Sequence, residues 1–575
     1  MPCQLFKVIC CVSSISFAKM QYLKIQVFTA ILCISASHAA VTLKVNGLTA
    51  EVANDLVKFK FKKDASISSL YVGGENVVSG ADRSFYLDWT GTGGEIRLKP
   101  SSIEIVQQTD SIAHFYWVQQ STRADDAFDI ELHYILEENL SGIYSYVKYS
   151  NDKASNISFG ETRMIYRFNP SIFTNGANQV YSHRLPTKNE ITHSQTVQDS
   201  TYKFSNGTYF SKYDYAVYIR ETQYQGVFGN DYGAFVISPS REYHGGGAMK
   251  QDLTVHQYSL VANYFLSAHF GSASFNAFPG WTHIYGPFLI YFPSGNDEQI
   301  LNAVEAQVTI EQEKWPYSFV NDNDYPLIRG SVSGKVTGQT KAAITLYDST
   351  EEQYDLQQLG YLYATTTDAN GNFVINNVRP GFYKIVAYPV AGQGSENLAE
   401  QTVTITAGAS EIVDFFLPEP ENILWAIGEA NRRSNEFNYA DQDRNYKWEF
   451  EPPVENTFIV GESDPRNDWY YAQSQPGTWT IKYQDNHDGH SRTLRLPLAA
   501  ASKSVLLVSI NGNNIAQLEL TNDASIYRSA LQSGRYRSVI LPVEPSHVLT
   551  GENTLDLTVH SGAVMYDCIS LQVNG

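Results

Sequence analysis

Residues 238–271 carry the densest set of chemically active side chains in the chain, and Lys212 lies shortly before them. A lysine and a histidine on one surface can give protons to a substrate or take protons from it. Lys212 and His269 are therefore the first candidates for catalysis. Three successive glycines at 245–247 predict a turn whose backbone comes close to another group.

Two alternating segments are predicted to position these side chains. Residues 262–269 alternate, which predicts a strand with one face formed by Asn263, Phe265, Ser267 and His269. Residues 209–220 alternate in a similar way, so Lys212 reaches the same surface if the two strands are close. Tyr264 is predicted on the opposite face, unless a bulge reorients it.

Several motifs resemble the rhamnogalacturonan lyases of polysaccharide lyase family four. They are SREYHGGGAMKQDLTVH, WTHIYGPFLIYF, ETRMIYRFN around Arg163, SKYDY around Lys212 and SAHFG around His269. The resemblance covers nearly the whole chain after the leader. It implies that Lys212 and His269 are the catalytic pair and that Arg163 holds the substrate carboxylate.

The resemblance also assigns other residues of the motifs. It implies that Tyr264 lies beside the site. His244, next to the glycines, and His256, in LTVH, are predicted to bind substrate, whereas His283 is predicted to be structural. The implied partner is rhamnogalacturonan I, the branched pectin polysaccharide.

Cleavage of such a substrate by β-elimination needs three groups. The galacturonate carboxylate must be neutralised, a base must take the C5 proton, and an acid must protonate the leaving O4. Arg163 can contact a carboxylate through two N–H groups. Lys212 would be the base if its pKa falls from about 10.4 toward neutrality, and His269, with an ordinary pKa near 6.5, would be the acid. The roles of Lys212 and His269 can also be exchanged.

One feature departs from the family pattern, because residues 270–273 contain no carboxylate to orient the imidazole of His269. The sequence contains no His-x-x-x-His pair and no Asp-rich loop, so no metal or other cofactor is required by it. A structural calcium ion in the C-terminal domain is allowed by family analogy alone.

Two alternatives stand beside the lyase hypothesis. A glycoside hydrolase needs two carboxylates, and Glu242 and Asp252 are available near the central motif. A non-catalytic pectin-binding protein of the same fold is the other alternative, although the joint presence of Lys212, His269 and Arg163 argues against lost activity. A serine hydrolase is disfavoured, because the chain has no GxSxG motif.

Charge and leader sequence restrict the setting of the protein. A net charge of −19 and a pI near 5.1 argue against nucleic acid and anionic membranes as partners. Residues 1–39 predict a secretory signal, with Met20 as an alternative start, and three sequons begin at Asn139, Asn156 and Asn206. The expectation is a secreted, glycosylated monomer. Cys568, the one cysteine after the leader, is predicted to be a buried thiol.

Six alternating segments after the leader are separated by turns and are predicted to be strands, namely VTLKVNG, VKFKFKKD, SIEIVQQ, AHFYWVQQ, FDIELHYIL and GIYSYVKYS. This pattern predicts an all-β protein of three domains. Residues 41–322 are predicted to be the catalytic domain, which the resemblance implies is a mutarotase-like β-supersandwich. A fibronectin type III or Ig-like sandwich at 323–418 and a lectin-like, carbohydrate-binding jelly roll at 419–575 follow. One helix is predicted over Asp297–Lys314.

The C-terminal domain contains a cluster of aromatic residues that could stack on sugars, namely Trp469, Tyr470 and Tyr471. Strand alternation requires at least one of the three to point into the core. The domain is therefore expected to contribute binding more than chemistry.

Overall fold

The computed structural model describes residues 40–78, 83–91, 94–121, 128–267, 269–270, 275–348, 352–440, 451–528 and 532–574. Residues 39–575 form one compact unit. Strands dominate every part of it, which confirms the predicted all-β class. The predicted leader at 1–39 lies outside the described residues.

The first domain contains most of the strands, and all six N-terminal segments that alternation predicted as strands are strands. Their bounds are Thr42–Asn46, Thr49–Ala53, Val57–Phe61, Ile67–Val72, Glu75–Asn76, Tyr86–Gly91, Gly94–Arg97, Ser102–Gln108, Ile112–Gln119, Asp129–Glu137, Gly142–Ser150, Ile157–Phe159, Glu161–Arg167, Asn175–Asn178, Ser182–Arg184, Gln195–Gln198, Thr201–Lys203, Tyr209–Ser211, Ala216–Tyr218, Tyr224–Gly229, Tyr232–Ile237, Gln251–Leu253, Val255–His256, Leu260–Leu266, Phe275–Ala277 and Thr282–Tyr291. A short helix at Lys188–Thr192 and a 3₁₀ turn at Lys212–Tyr215 interrupt them.

Two sheets of this domain matter for the site. A nine-stranded antiparallel sheet has Thr282–Tyr291 near its middle. A five-stranded sheet has Glu161–Arg167 at its centre, between Leu260–Leu266 and Tyr86–Gly91. Side chains from both sheets share one large apolar core, and their burial stabilises the domain by about 25 cal/mol per Å² of apolar surface.

The helix Asp297–Lys314 has the bounds that its apolar spacing predicted. Asn296 caps its N-terminus. The Asn296 side chain accepts a hydrogen bond from the backbone N–H of Gln299, and the Gln299 side chain accepts one from the backbone N–H of Asn296. Ile300, Val304 and Val308 are buried in a second apolar cluster with residues of the nine-stranded sheet.

The part of the middle domain that the structure describes contains eight strands, which form two four-stranded sheets. They are Gly330–Gly338, Ala342–Tyr347, Leu362–Thr366, Asn372–Val378, Gly381–Pro389, Ala399–Ile405, Ser410–Ile412 and Phe415–Leu417. Glu242 of the first domain reaches into this domain. Its carboxylate accepts hydrogen bonds from Arg329 at 2.6 Å, from Arg379 at 2.9 Å and from the Tyr363 hydroxyl at 2.8 Å. Glu242 is therefore a buried link between domains, and its proposed role in a glycoside hydrolase is wrong.

The three glycines at 245–247 make the close approach that the sequence predicted, but the neighbour is the middle domain. A Cβ on Gly245 would lie 2.0 Å from Gln358 Oε1, and one on Gly247 would lie 2.7 Å from Asp355 Cα. The backbone N–H of Gly246 donates to the Gln357 carbonyl at 2.6 Å. The glycines therefore allow two backbones to pack side by side.

In the C-terminal domain the described residues form ten strands in two sheets. They are Ile423–Ile427, Asn456–Ile459, Ala472–Gln473, Gly477–Asp485, Arg492–Arg495, Leu498–Ile510, Asn513–Leu520, Ile540–Val543, Gly551–Tyr566 and Ile569–Val573. Short helical segments lie at Pro465–Asp468, Ile526–Arg528 and Pro545–His547.

Most of the aromatic cluster predicted to meet sugars lies in the core of this domain. Trp469 and Tyr471 are fully buried, and the Trp469 ring packs 5.0 Å from that of Trp479. These two residues cannot stack on a sugar, and Tyr470 alone of the three is partly exposed. Cys568 is a free, buried thiol as predicted, and burial raises its pKa well above the usual value.

Candidate active site

The centre of the candidate site is a row of three residues across the five-stranded sheet. Arg163 pairs in register with Asp88 on one neighbouring strand and with Tyr264 on the other. Residues directly opposite each other in a sheet place their side chains on the same face. The sheet register thus assembles a carboxylate, a guanidinium and a phenol from three distant parts of the chain.

Arg163 is held by two carboxylates. It contacts Asp88 through Nε at 2.9 Å and Nη2 at 3.4 Å, and Glu161 through Nη1 at 2.6 Å. The Nη1 group also donates to the Tyr264 hydroxyl at 3.1 Å. A guanidinium has five N–H groups. In the described structure one of the five is left for a ligand, so the predicted two-point contact between Arg163 and a substrate carboxylate would require Arg163 to give up one of these contacts.

A β-bulge explains why Tyr264 lies at the site. The register between strands Glu161–Arg167 and Leu260–Leu266 shifts after Tyr264, so that Phe265 is the extra residue. Tyr264 lies in the apolar cluster on the site side, whereas Phe265 packs in the main core. The predicted common face of Phe265 and His269 is therefore wrong. The strand ends at Leu266, and the rings of His269 and Tyr264 lie 5.3 Å apart on the same side.

Two carboxylates flank the imidazole of His269. Its Nδ1 lies 3.7 Å from Asp252 Oδ1 and 3.9 Å from Glu161 Oε2. The expected lack of a carboxylate near His269 is therefore wrong, because the acidic groups come from other strands and not from residues 270–273. Glu161 is two residues before Arg163, so strand alternation could have placed both on one face.

His269 is neutral at physiological pH. Burial lowers its pKa to about 2, and the positive charges of Arg528, Lys250 and Lys212 contribute in that order. The expectation of an ordinary pKa near 6.5 is therefore wrong. Arg528 belongs to the C-terminal domain, so this domain influences the chemistry of the site, which no sequence motif predicted.

Lys212 begins a 3₁₀ turn and does not lie in the predicted alternating strand. The Ser211 hydroxyl accepts the Tyr213 N–H, and the Asp214 carboxylate accepts the Ser211 N–H, which fixes the start of the turn. The Lys212 ammonium contacts Asp199 Oδ2 at 2.7 Å, and its side chain is only 12% exposed. Despite partial burial, Lys212 and the Tyr213 hydroxyl lower the pKa of Asp199.

Lys250 is a second buried lysine that the sequence reasoning missed. Its ammonium donates to the carbonyl oxygen of His269 at 2.6 Å and lies 3.8 Å from Asp252 Oδ2. The Ser267 hydroxyl donates to the same Asp252 oxygen at 2.7 Å. Burial lowers the pKa of Lys250 and raises that of Asp252. Lys250 thus fixes the backbone of His269 and supplies positive charge behind the imidazole.

The other predicted histidines divide into two groups. His256 lies near the cations of the site: burial lowers its pKa to about 3, with further contributions from Lys212 and Arg163. His244 is only 2% exposed and its ring stacks on Tyr243, so a substrate cannot reach it in this conformation. His283 is buried and stacks on Trp281 and Tyr361, as a structural residue would.

The described part of the chain contains no group of three or more His, Cys, Asp or Glu side chains arranged to hold a metal ion. For the calcium ion allowed by analogy in the C-terminal domain, we therefore assign no ligands. Among the described residues, none of the helices has the length and apolar character that a bilayer span requires.

Comparison with known proteins identifies the family. Models of polysaccharide lyase family 4, domain II, and polysaccharide lyase family 4, domain III, match residues 329–412 and 423–571. The rhamnogalacturonate lyase of Dickeya dadantii is 36% identical over 550 residues, which cover 92% of this chain and 94% of that protein. The chain belongs to polysaccharide lyase family 4. Rhamnogalacturonate lyase B of Emericella nidulans is 23% identical over 522 residues, covering 80% of this chain and 79% of that protein.

Among solved structures, a galactose mutarotase-like protein from Lactobacillus casei aligns with a TM-score of 0.28 and 9% identity, covering 42% of this chain and 99% of that chain. Family 4 membership confirms the resemblance stated from the motifs.

The clamp on Arg163 predicts a pH-dependent loss of stability in Arg163→Ala. The substitution leaves Asp88 and Glu161 buried without their partner, which costs about 3–5 kcal/mol. Burial already raises the pKa of Asp88 to about 6. Acidification will therefore protonate the orphaned carboxylates and relieve the penalty, so the loss should be larger at pH 8 than at pH 5.

Denaturant unfolding of wild type and variant at the two pH values measures this effect. Arg167→Ala is the matched control, because Arg167 is four residues along the same strand and contacts the Tyr86 hydroxyl at 3.2 Å. The control should lose less stability and show little pH dependence. An equal loss at both pH values in Arg163→Ala would contradict the clamp.

Proposed function

We propose that the chain is a rhamnogalacturonan lyase. In this proposal it cleaves the rhamnose-(1,4)-galacturonate bond of the rhamnogalacturonan I backbone by β-elimination, in endo mode, and leaves a 4,5-unsaturated galacturonate end. The observation that carries the proposal is the convergence of Lys212, Lys250 and Arg528 around a neutral His269, whose ring lies 5.3 Å from that of Tyr264. The relatives named rhamnogalacturonate lyase support it.

The cations near His269 would neutralise the galacturonate carboxylate, which is the first requirement of the reaction. Arg528, Lys250 and Lys212 all lower the pKa of His269, so positive charge is concentrated near the imidazole although the chain is acidic overall. These cations would stabilise the negative charge that spreads from C5 onto the oxygens of the bound carboxylate as the proton leaves. Arg163 contributes the one N–H that has no partner among the described residues. It also holds Glu161, whose carboxylate lies beside His269.

The resting protonation states favour His269 as the base and Lys212 as the acid. His269 is neutral, and its Nδ1 faces the carboxylates of Asp252 and Glu161, which leaves Nε2 with a lone pair for the C5 proton. The Lys212 side-chain nitrogen lies 2.7 Å from Asp199 Oδ2, and a neighbouring carboxylate favours the charged form of an amine. We therefore propose that His269 is the base and Lys212 is the acid, which exchanges the roles first expected from the sequence.

In the proposed elimination, His269 takes one proton from the substrate and Lys212 gives one proton to the leaving group. His269 Nε2 takes the proton from C5, and the electron pair of the C5–H bond forms the C4–C5 double bond. The C4–O4 bond breaks, and the leaving oxygen, which stays bonded to C1 of the rhamnose, takes a proton from Lys212. The imidazolium is stabilised by Asp252 and Glu161 once it forms. No step in this scheme calls on a cofactor.

The setting of the protein is part of the proposal. We place the enzyme outside the cell as a monomer that acts on pectin, without nucleic-acid or membrane partners. The leader at 1–39 supports secretion. Asn139, Asn156 and Asn206 are all exposed, which is compatible with glycosylation at the three sequons.

The products of cleavage test the proposed function. Purified protein should create unsaturated ends, seen as growing ultraviolet absorbance, with rhamnogalacturonan I but not with homogalacturonan. New reducing ends without absorbance would indicate a hydrolase. Binding of the polymer without either product would indicate the non-catalytic pectin-binding protein.

Substitutions at Lys212 test the assignment of acid and base. Lys212→Ala and His269→Ala should both be folded and lose roughly a hundredfold or more in kcat, because each removes one proton transfer. Lys212→Arg keeps the positive charge beside the leaving oxygen, although a guanidinium is a poor proton donor, and should retain measurable activity above that of Lys212→Ala. Because a guanidinium cannot act as a base near neutral pH, such activity would exclude Lys212 as the base, whereas a folded Lys212→Arg as inactive as Lys212→Ala would contradict a contribution from the charge alone.

A further inference from the structure

A cleft beside the catalytic turn is not used by the proposed reaction. It has a volume of about 420 Å³, which is within the usual size range of small-ligand sites. Its walls come from the hairpin around Asn206, the strand Ser182–Arg184 and the helix Lys188–Thr192. Asp214 and Tyr215 line it too, and they belong to the 3₁₀ turn that begins at Lys212.

One wall of the cleft is aromatic. Tyr181, Phe204 and Tyr209 line it, and all three are half-buried, so part of each ring can meet a ligand. The hairpin is held in shape, since the Asn206 side chain accepts the Thr208 N–H at 3.0 Å and its hydroxyl at 2.7 Å. The Tyr181 ring stacks on that of His183 with centroids 4.0 Å apart, so the half-buried rings of Phe204 and Tyr209 on the hairpin are the ones that suit the apolar face of a sugar ring.

The opposite wall is polar and carries no net positive charge. Arg184 is the one Arg or Lys among the described lining residues, and Glu190 neutralises it through contacts of 3.1 and 2.6 Å. Asp214 adds a further carboxylate to the lining. A uronate would meet more negative than positive charge here, whereas the hydroxyls of a neutral sugar can bond to all of these groups.

We propose that this cleft is a subsite for a neutral sugar unit of the polymer that the catalytic site cleaves. Asp214 and Tyr215 of the lining follow Lys212 in the same 3₁₀ turn, so we expect a polymer bound at the catalytic turn to extend into the cleft. It would recognise either a backbone rhamnose or a neutral sugar of a side branch. This inference rests on the proposed function for the identity of the polymer, but not for the chemistry of the ligand.

Calorimetry with neutral probes tests the subsite in the wild-type protein. L-Rhamnose and β-1,4-galactotetraose carry no carboxylate, so neither is cleaved by the proposed reaction. Binding of one probe supports the subsite. Binding of L-rhamnose would indicate a backbone sugar, and binding of the galactotetraose would indicate a side-branch sugar. Tyr209→Ala should weaken that binding about tenfold and raise KM for rhamnogalacturonan I, with kcat within twofold. Tyr71→Ala, a half-exposed tyrosine on the strand Ile67–Val72, is the control and should change neither value.

A second variant tests the charge argument. Glu190→Gln keeps the hydrogen-bonding shape of the helix cap while it leaves the Arg184 charge uncompensated. Digalacturonate should then bind more tightly to Glu190→Gln than to wild type, whereas the affinity for the neutral probe should not rise.

The proposal is overturned if neither neutral probe binds, or if Tyr209→Ala and Tyr71→Ala lose affinity for the probe to the same extent. Unsaturated product with an unchanged KM in Tyr209→Ala overturns the subsite alone. Probe binding without unsaturated product overturns the proposed lyase alone.

Discussion

The contact of Arg163 with Asp88 and Glu161 organises the rest of the candidate site. Asp88 orients the guanidinium, the guanidinium holds Glu161, and Glu161 lies beside Nδ1 of His269. Each carboxylate is buried and would be costly without its partner. The same electrostatic arrangement therefore contributes both the stability of the sheet face and the orientation of the imidazole.

The site also depends on the packing of the three domains. The Arg220 guanidinium donates to the carbonyls of Arg241 and His244, each at 2.7 Å, and so fixes the segment that enters the glycine turn. The turn packs against the middle domain, while Gln251, next to Lys250, donates to the Ser533 carbonyl of the C-terminal domain at 2.6 Å. The C-terminal domain also supplies Arg528, whose positive charge contributes to the lowered pKa of His269.

The sequence predicted those parts that follow from local periodicity. Six strands, the helix Asp297–Lys314 and the buried Cys568 are as expected, because alternation and helical spacing report which side of an element is buried. The surroundings of His269 could not be predicted in this way. A one-residue bulge at Phe265 shifts the phase of the strand, and Asp252, Lys250 and Arg528 approach from other elements. The Lys212 turn did have a local signal, the capping pair Ser211 and Asp214.

The most direct test of this account is the protonation state of His269 in the free protein. Nitrogen-15 NMR of labelled histidine, assigned with His269→Ala, reports the charge and tautomer of the ring across pH 5–8. The account predicts a neutral imidazole with the proton on Nδ1 and no titration in this range, because burial and the nearby cations disfavour the charged form. A transition near pH 6.5 would contradict it, and would restore His269 as the acid and Lys212 as the base.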